Sequence, residues 1–159
     1  MYDFIHYASP LGTLTVAAEN DALTALVIAG QKYEELHLIG EGRERETPVL
    51  RAAKAWLDRY FAGERPDPTE LPLSPRGTDF QQRVWRELLT IPYGGTETYG
   101  DLAARLGSSA RAVGSAVGRN PISVIIPCHR VLGVDGSLCG YAGGLENKKK
   151  LLKLEGYLA

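Results

Sequence analysis

The chain has 159 residues, of which 44% are hydrophobic and 23% charged, and its formal net charge is −1. That length and balance fit a soluble globular protein that buries a core without crosslinks, as one compact domain or as a small lobe joined to a slightly larger one. No apolar run approaches the roughly 20 residues that cross a bilayer, and Met1 to His6 lacks a basic segment leading into an apolar one. No membrane partner is therefore expected, and the location expected is cytoplasmic.

Two cysteines, Cys128 and Cys139, could form one disulfide, but free thiols suit a chain with no mark of secretion. The histidines are His6, His37 and His129, without the paired cysteines of a zinc site, so no metal is expected. Charge is unevenly spread. Residues 1–75 hold 7 Lys and Arg against 12 Asp and Glu; residues 76–159 hold 11 against 7. A polyanion partner for the second half is permitted, but on charge alone two differently solvated surfaces are the favoured reading.

The chain opens as β-structure. Leu14, Val16 and Ala18 alternate with Thr13, Thr15 and Ala17; Glu19-Asn20-Asp21 turns; Leu23, Ala25 and Val27 continue. Residues 40–46 are charged and glycine-containing and read as a loop. Thr47 then caps a helix with Pro48 at its first position. Val49, Leu50, Ala53, Trp56, Leu57, Tyr60 and Phe61 form its single apolar stripe, and Gly63 ends it. Pro66, Pro68, Pro72 and Pro75 mark an extended linker.

Thr78-Asp79-Phe80-Gln81 is a capping-box pattern, and Phe80, Val84, Trp85, Leu88 and Leu89 are the buried face of the helix it starts. Pro92-Tyr93-Gly94-Gly95 breaks the chain. Tyr99 to Leu106 reads as a short helix, Gly107-Ser108 as a turn, and Ala110 to Gly118 as a second helix capped by Ser109. This is the outline of a helix-turn-helix. The second helix is small on one face. Close packing explains such a face; so does entry into a minor groove about 6 Å wide, with Arg111 as the one long side chain. Ser123 to Ile126 reads as a short buried strand. It leads into Pro127-Cys128-His129-Arg130-Val131, a glycine-rich loop over 133–144, and a closing helix. In that helix Lys148, Lys149 and Lys150 are expected outside, and Leu145, Leu151, Leu152 and Leu154 inside. The fold class expected is α+β: a small N-terminal sheet lobe with a helix (1–75) and a mainly helical lobe with a helix-turn-helix (76–159).

Free cysteines are usually buried filler. Cys128 stands where a buried segment must turn, and a cysteine there becomes reactive if its thiolate is stabilised. A water could carry its proton to His129, and Glu155 is the candidate partner that fixes the imidazole. A plain surface acid remains the alternative for Glu155.

These residues resemble the O6-alkylguanine-DNA alkyltransferase family. The resemblance rests on Pro127-Cys128-His129-Arg130-Val131, Gly118-Arg119-Asn120-Pro121, Ala110-Arg111-Ala112-Val113-Gly114, Tyr141-Ala142-Gly143-Gly144-Leu145 and Leu154-Glu155-Gly156. It covers roughly residues 76–157; the N-terminal lobe matches in outline only. It implies an irreversible, single-turnover transfer of a methyl or other alkyl group from O6-alkylguanine, and by extension O4-alkylthymine, onto Cys128. His129 would deprotonate Cys128 through water, Glu155 would orient His129, and Asn120 would brace the turn before the active-site strand. Tyr99 would help rotate the nucleotide and donate to the departing guanine. Arg111 would fill the vacated stack, on a helix whose Ala110, Ala112, Gly114 and Ser115 face double-stranded DNA through its minor groove. Tyr141, Val131, Cys139, Ala142 and Gly143 would form the pocket, and the carbonyls of Cys128 and Val131 would accept from the guanine amino group. Cys139 is expected to narrow the pocket. Ser123, where some relatives carry proline, is expected to alter its shape.

The resemblance further implies no cofactor, and a monomer is expected. Zinc carried by some relatives would need N-terminal cysteines absent here. Two other functions compete. A binding-only module that recruits repair factors fits poorly with the cysteine at 128. A cysteine hydrolase leaves Arg111 and the small-residue helix without a purpose.

Overall fold

The computed structural model describes residues 1–31, 38 and 40–159; His37 lies outside the described residues. Four strands, β1 (Tyr2–Ser9), β2 (Gly12–Glu19), β3 (Ala22–Ile28) and β4 (Gly42–Glu44), form one sheet in the order β3-β2-β1-β4. The hairpin read from the sequence is β2–β3. Its two-residue turn puts Asn20 and Asp21 at φ 52° and 62°, the left-handed pair whose twist suits a tight hairpin.

The sequence missed β1 and β4. β1 mixes aromatic and polar residues with only Ile5 fully buried, so it lacks clean alternation. β4 is exposed at all three residues and lies in the segment read as a loop. It exists through pairing, not pattern: it runs parallel to β1, and Arg43 and Arg45 both reach Asp3.

Helix α1 (Pro48–Phe61) packs its stripe on the sheet, capped by Thr47 as expected. Helix α2 (Asp79–Leu88) carries the complete capping box of Thr78 and Gln81. Two residues, Glu97–Thr98 (β5), pair in parallel with Val131–Leu132 (β6). Helices α3 (Tyr99–Leu106) and α4 (Ala110–Gly118) make the helix-turn-helix, with Gly107 left-handed at φ 62° between them. The Trp85 indole N–H donates to Ala116 O at 2.8 Å and ties α2 to α4. Helix α5 (Leu145–Leu154) closes the chain.

The expected α+β arrangement of a small sheet lobe and a helical lobe is the one observed, and a single apolar core runs through both. The free edge of β3 joins them. Leu23 exchanges backbone bonds with Pro72 and Ser74; Leu26 does so with Pro121 and Ser123. The sheet thus grips the linker and the segment before Cys128. Among the described residues no helix is long and apolar enough to cross a membrane, and no three His, Cys, Asp or Glu side chains gather as a metal would require.

Candidate active site

Between α4 and Cys128 the chain is a run of turns, not the strand read from the β-branched residues 123–126. Asn120 causes this. Its side-chain oxygen accepts from Ile122 N at 3.0 Å, and its amide donates to Ile126 O at 2.8 Å. Ile125 N reaches back to Ser123 O at 2.8 Å and closes a tight turn around Val124. Val124 is left-handed, at φ 72°. A β-branched residue there costs roughly 1–3 kcal/mol and persists only where its surroundings over-determine it. Asn120 on one side and the edge of β3 on the other supply that constraint. They deliver Cys128 onto a single 3-10 turn, Cys128–Arg130.

All three residues of that turn are buried, His129 completely. His129 Nε2 lies 2.6 Å from Glu155 Oε2. Arg130 grips the same carboxylate through Nε at 2.7 Å to Oε1 and Nη2 at 3.0 Å to Oε2, and its Nη1 donates to Ile91 O at 2.7 Å. A fourth donor, the Tyr60 hydroxyl of α1, reaches Glu155 Oε2 at 2.5 Å. Burial alone would push the Glu155 carboxyl up, but hydrogen bonds and charges from His129 and Arg130 prevail and hold it well below the usual carboxylate range.

Burial lowers the pKa of His129 against the pull of Glu155. It raises that of the Cys128 thiol, against opposing help from Asn120, Lys148 and Tyr141. The resting state is therefore a neutral thiol, a neutral imidazole and an ionised carboxylate. An ionised Glu155 assigns the imidazole proton to Nε2. That leaves Nδ1 as the basic nitrogen, and Nδ1 is buried with no hydrogen-bond partner among the described residues.

Cys128 opens onto a cavity of about 210 Å³ lined by Tyr99, Gly114, Ser115, Val117, Gly118, Arg119, Gly140, Tyr141 and Ala142. The Tyr99 ring lies in contact range of Gly114, where a Cβ would stand 3.7 Å away. Burial, with smaller effects from Cys139 and Cys128, pushes the Tyr99 phenol up to about 12, so it remains a donor. The Tyr141 hydroxyl and Ser123 Oγ are both buried with no hydrogen-bond partner among the described residues.

The structure thus brings Cys128, His129 and Glu155 together, sets Asn120 behind them, and places Tyr99, Gly114, Ser115, Tyr141 and Ala142 around the cavity. Ala110, Arg111 and Ala112 stand on α4 outside it, with Arg111 exposed. Three expected pocket residues sit elsewhere. Cys139 is exposed, and its sulfur packs toward Gly133, so its neighbour Gly140 lines the cavity instead. Gly143 lies behind Tyr141, where a Cβ would come within 2.6 Å of Ile28 and 2.8 Å of the Tyr141 ring. Val131 is buried in β6, and its carbonyl accepts from Lys148 Nζ at 2.6 Å.

Lys148 corrects the reading of α5. It is fully buried, and Nζ also donates to Cys139 O at 3.0 Å and Gly140 O at 3.2 Å. Leu145, expected inside, is 46% exposed. Lys148 precedes Leu151 and Leu152 by a helical turn, so it shares their inward face; that spacing was the signal available. Arg130, Tyr60 and Lys148, with the cavity-lining Val117, Gly118, Arg119 and Gly140, are the site residues that sequence reasoning missed. Arg130 was visible only as part of a motif, Tyr60 only as part of an apolar stripe.

Comparisons with known proteins agree along the whole chain. The family described as 6-O-methylguanine DNA methyltransferase, DNA binding domain, matches residues 79–157, and its ribonuclease-like domain matches residues 4–75. The methylated-DNA–protein-cysteine methyltransferase of Mycobacterium tuberculosis is 48% identical over 159 residues, covering 95% of this chain and 92% of that protein. The constitutive enzyme of the same description from Bacillus subtilis is 45% identical over 151 residues, covering 92% and 91%. The crystal structure of Mycobacterium tuberculosis OGT in complex with DNA superposes with a TM-score of 0.84 at 44% identity, covering 96% of this chain and 92% of that one.

Proposed function

The chain belongs to the 6-O-methylguanine DNA methyltransferase family, and we propose that it takes the alkyl group of O6-alkylguanine onto Cys128 through a relay of His129 and Glu155. It is a methylated-DNA–protein-cysteine methyltransferase that repairs DNA by alkyl transfer. The observation that carries the relay is the 2.6 Å contact of His129 Nε2 with Glu155, which leaves the buried Nδ1 free to take a proton.

The steps follow from the resting charges. The Cys128 proton passes through a water to His129 Nδ1, and Glu155 steadies the imidazolium. The thiolate, a strong soft nucleophile, attacks the alkyl carbon; the S–C bond forms as the bond from carbon to O6 breaks. Tyr99, held protonated, donates a hydrogen bond to the departing guanine. The product thioether has no route back to a thiol, so each molecule acts once. The damaged nucleotide must leave the stack to reach a buried sulfur, at a cost of a few kcal/mol. Arg111, exposed on α4, fills the gap it leaves. The small residues Ala110, Ala112, Gly114 and Ser115 let α4 approach the minor groove, with residues 76–159 carrying both recognition and chemistry, and the protein acts as a monomer.

Incubation with a duplex containing O6-methylguanine is expected to add one methyl to the intact protein, mapped by peptide mass to Cys128. Cys128→Ser is expected to abolish transfer while DNA binding persists. Methylation elsewhere, or transfer by the serine variant, overturns the assignment. A parallel duplex with O4-methylthymine defines the substrate range.

A further inference from the structure

Tyr60 lies on α1 in the sheet lobe, away from the helix-turn-helix, yet its hydroxyl ends on the carboxylate at the back of the relay. Its ring is fixed on three sides. Trp56 stacks parallel with centroids 5.5 Å apart, Phe61 meets it edge-on at 5.2 Å, and Tyr93 at 6.1 Å. A phenylalanine would satisfy that packing. The hydroxyl therefore needs a separate reason, and its partner among the described residues is Glu155 Oε2.

We propose that Tyr60 is a positioning residue of the alkyl-transfer site, which sets how strongly Glu155 can hold the proton that His129 takes from Cys128. This rests on the relay reading above. Three donors converge on Oε2: Tyr60 at 2.5 Å, His129 at 2.6 Å and Arg130 at 3.0 Å. Each draws on the same oxygen's charge, so each weakens its hold on the others. A carboxylate facing His129 alone would stabilise the imidazolium strongly and favour a permanent ion pair with the thiolate. Shared with Tyr60 and Arg130, it supports the imidazolium only to the degree that transfer needs. The phenol is a constant donor: burial first, then the Glu155 charge, keeps it protonated at any working pH. The N-terminal lobe in this way reaches into the proton transfer.

The surroundings of Glu155 are otherwise fixed. Arg130 and His129 come from the 3-10 turn; Tyr93 comes from the segment after α2, with Arg65 4.9 Å above its ring. Lys148 lies on α5, whose C-cap is Glu155, and its charge acts on His129; Cys128 and Glu155 both act on Tyr141. Tyr60→Phe removes one donor from Glu155 and alters none of these charges.

The test is the single-turnover rate of methyl transfer from an O6-methylguanine duplex across pH, with DNA affinity measured alongside. In Tyr60→Phe, Glu155 becomes the stronger base, His129 holds its proton to higher pH, and the acid limb moves up by about one unit. The rate on that limb falls about tenfold, while the plateau and DNA affinity change little. Replacing Tyr60 by 3-fluorotyrosine keeps the packing and strengthens the donor, so the limb moves the opposite way. A limb that stays in place in both proteins overturns the inference; if the phenylalanine variant does not fold, the fluorotyrosine protein decides alone. Glu155→Gln separates the two claims. If it leaves the limb unmoved, the relay itself fails and Tyr60 with it. If it moves the limb and the Tyr60 substitutions do not, only the role of Tyr60 fails.

Discussion

Cys128 has two unlike flanks. On the inner side lies a closed polar cluster, in which Glu155 accepts from His129, Arg130 and Tyr60, all buried. On the outer side lies a cavity of about 210 Å³ whose walls include Gly114, Ser115, Gly118, Gly140 and Ala142. One flank is built from charge and leaves little unpaired; the other sets small residues among Tyr99, Val117, Arg119 and Tyr141 and leaves space. The contrast separates two duties. Proton transfer through a single held water demands fixed distances in a closed interior, whereas admission of a large flat base demands room and few commitments. A substitution on the inner flank should therefore disturb stability and rate together, and one among the small residues of the outer flank should disturb DNA engagement with little effect on stability.

The strongest way to break that division is Arg130→Ala. Arg130 balances the Glu155 charge with two bonds and also donates to Ile91 O. Its removal leaves a buried carboxylate short of partners, a loss of about 3–5 kcal/mol in buried pairs. Chemical denaturation is expected to show a loss of that size, with transfer greatly slowed in the protein that remains folded. A variant of parental stability would mean that water enters freely, and the inner flank would not be closed at all.

The outer flank gives the opposite expectation. Gly114 sits on α4 facing the cavity, and a Cβ at this position would stand 3.7 Å from the Tyr99 ring. Gly114→Leu adds bulk where α4 is proposed to enter a groove about 6 Å wide. DNA affinity is expected to drop about tenfold, equivalent to about 1.4 kcal/mol, with the denaturation midpoint almost unchanged. Loss of stability without loss of binding would assign the small residues to packing, the alternative that sequence alone left open.

The division also explains what could be read from the sequence. Local signals carried the helices: Thr47 and Pro48 start α1, Thr78 and Gln81 close a capping box, and Ser109 opens α4. Those signals live within four residues of each other. The inner flank is assembled over long separations, Tyr60 to Glu155 across 95 positions and Arg130 to Ile91 across 39. No periodicity reports such contacts, and Tyr60 in an apolar stripe looks like any other core aromatic. The strand expected at 123–126 failed for a related reason. Its β-branched residues favour extended structure, but Asn120 captured the local backbone groups and left Val124 left-handed. β4 carried no pattern because all its side chains face solvent. The residues around Cys128 nominated His129 and Glu155, with a surface acid left open for Glu155, and the family resemblance assigned the three their roles; only the geometry shows that Tyr60 and Arg130 share the carboxylate with His129.

The smallest effect tests whether the inner flank stays closed as the pH falls. Burial depresses the His129 pKa below its ordinary 6.5. The unfolded chain therefore takes up the proton first, so the stability that neutral His129 contributes is present above about pH 6.5 and is lost as pH drops below it. Glu155, held low by its partners, acts in the same direction but only below its ordinary 4.5. The melting temperature of the parent is therefore expected to fall between about pH 7.5 and about pH 5.5, in the window where the unfolded chain is protonated first. His129→Gln can still donate to Glu155 but does not titrate. Differential scanning calorimetry is expected to show a shallower fall in melting temperature for that variant than for the parent. Equal slopes would mean that His129 is charged in the folded protein at rest, and the neutral thiol and imidazole pair would give way to a preformed ion pair.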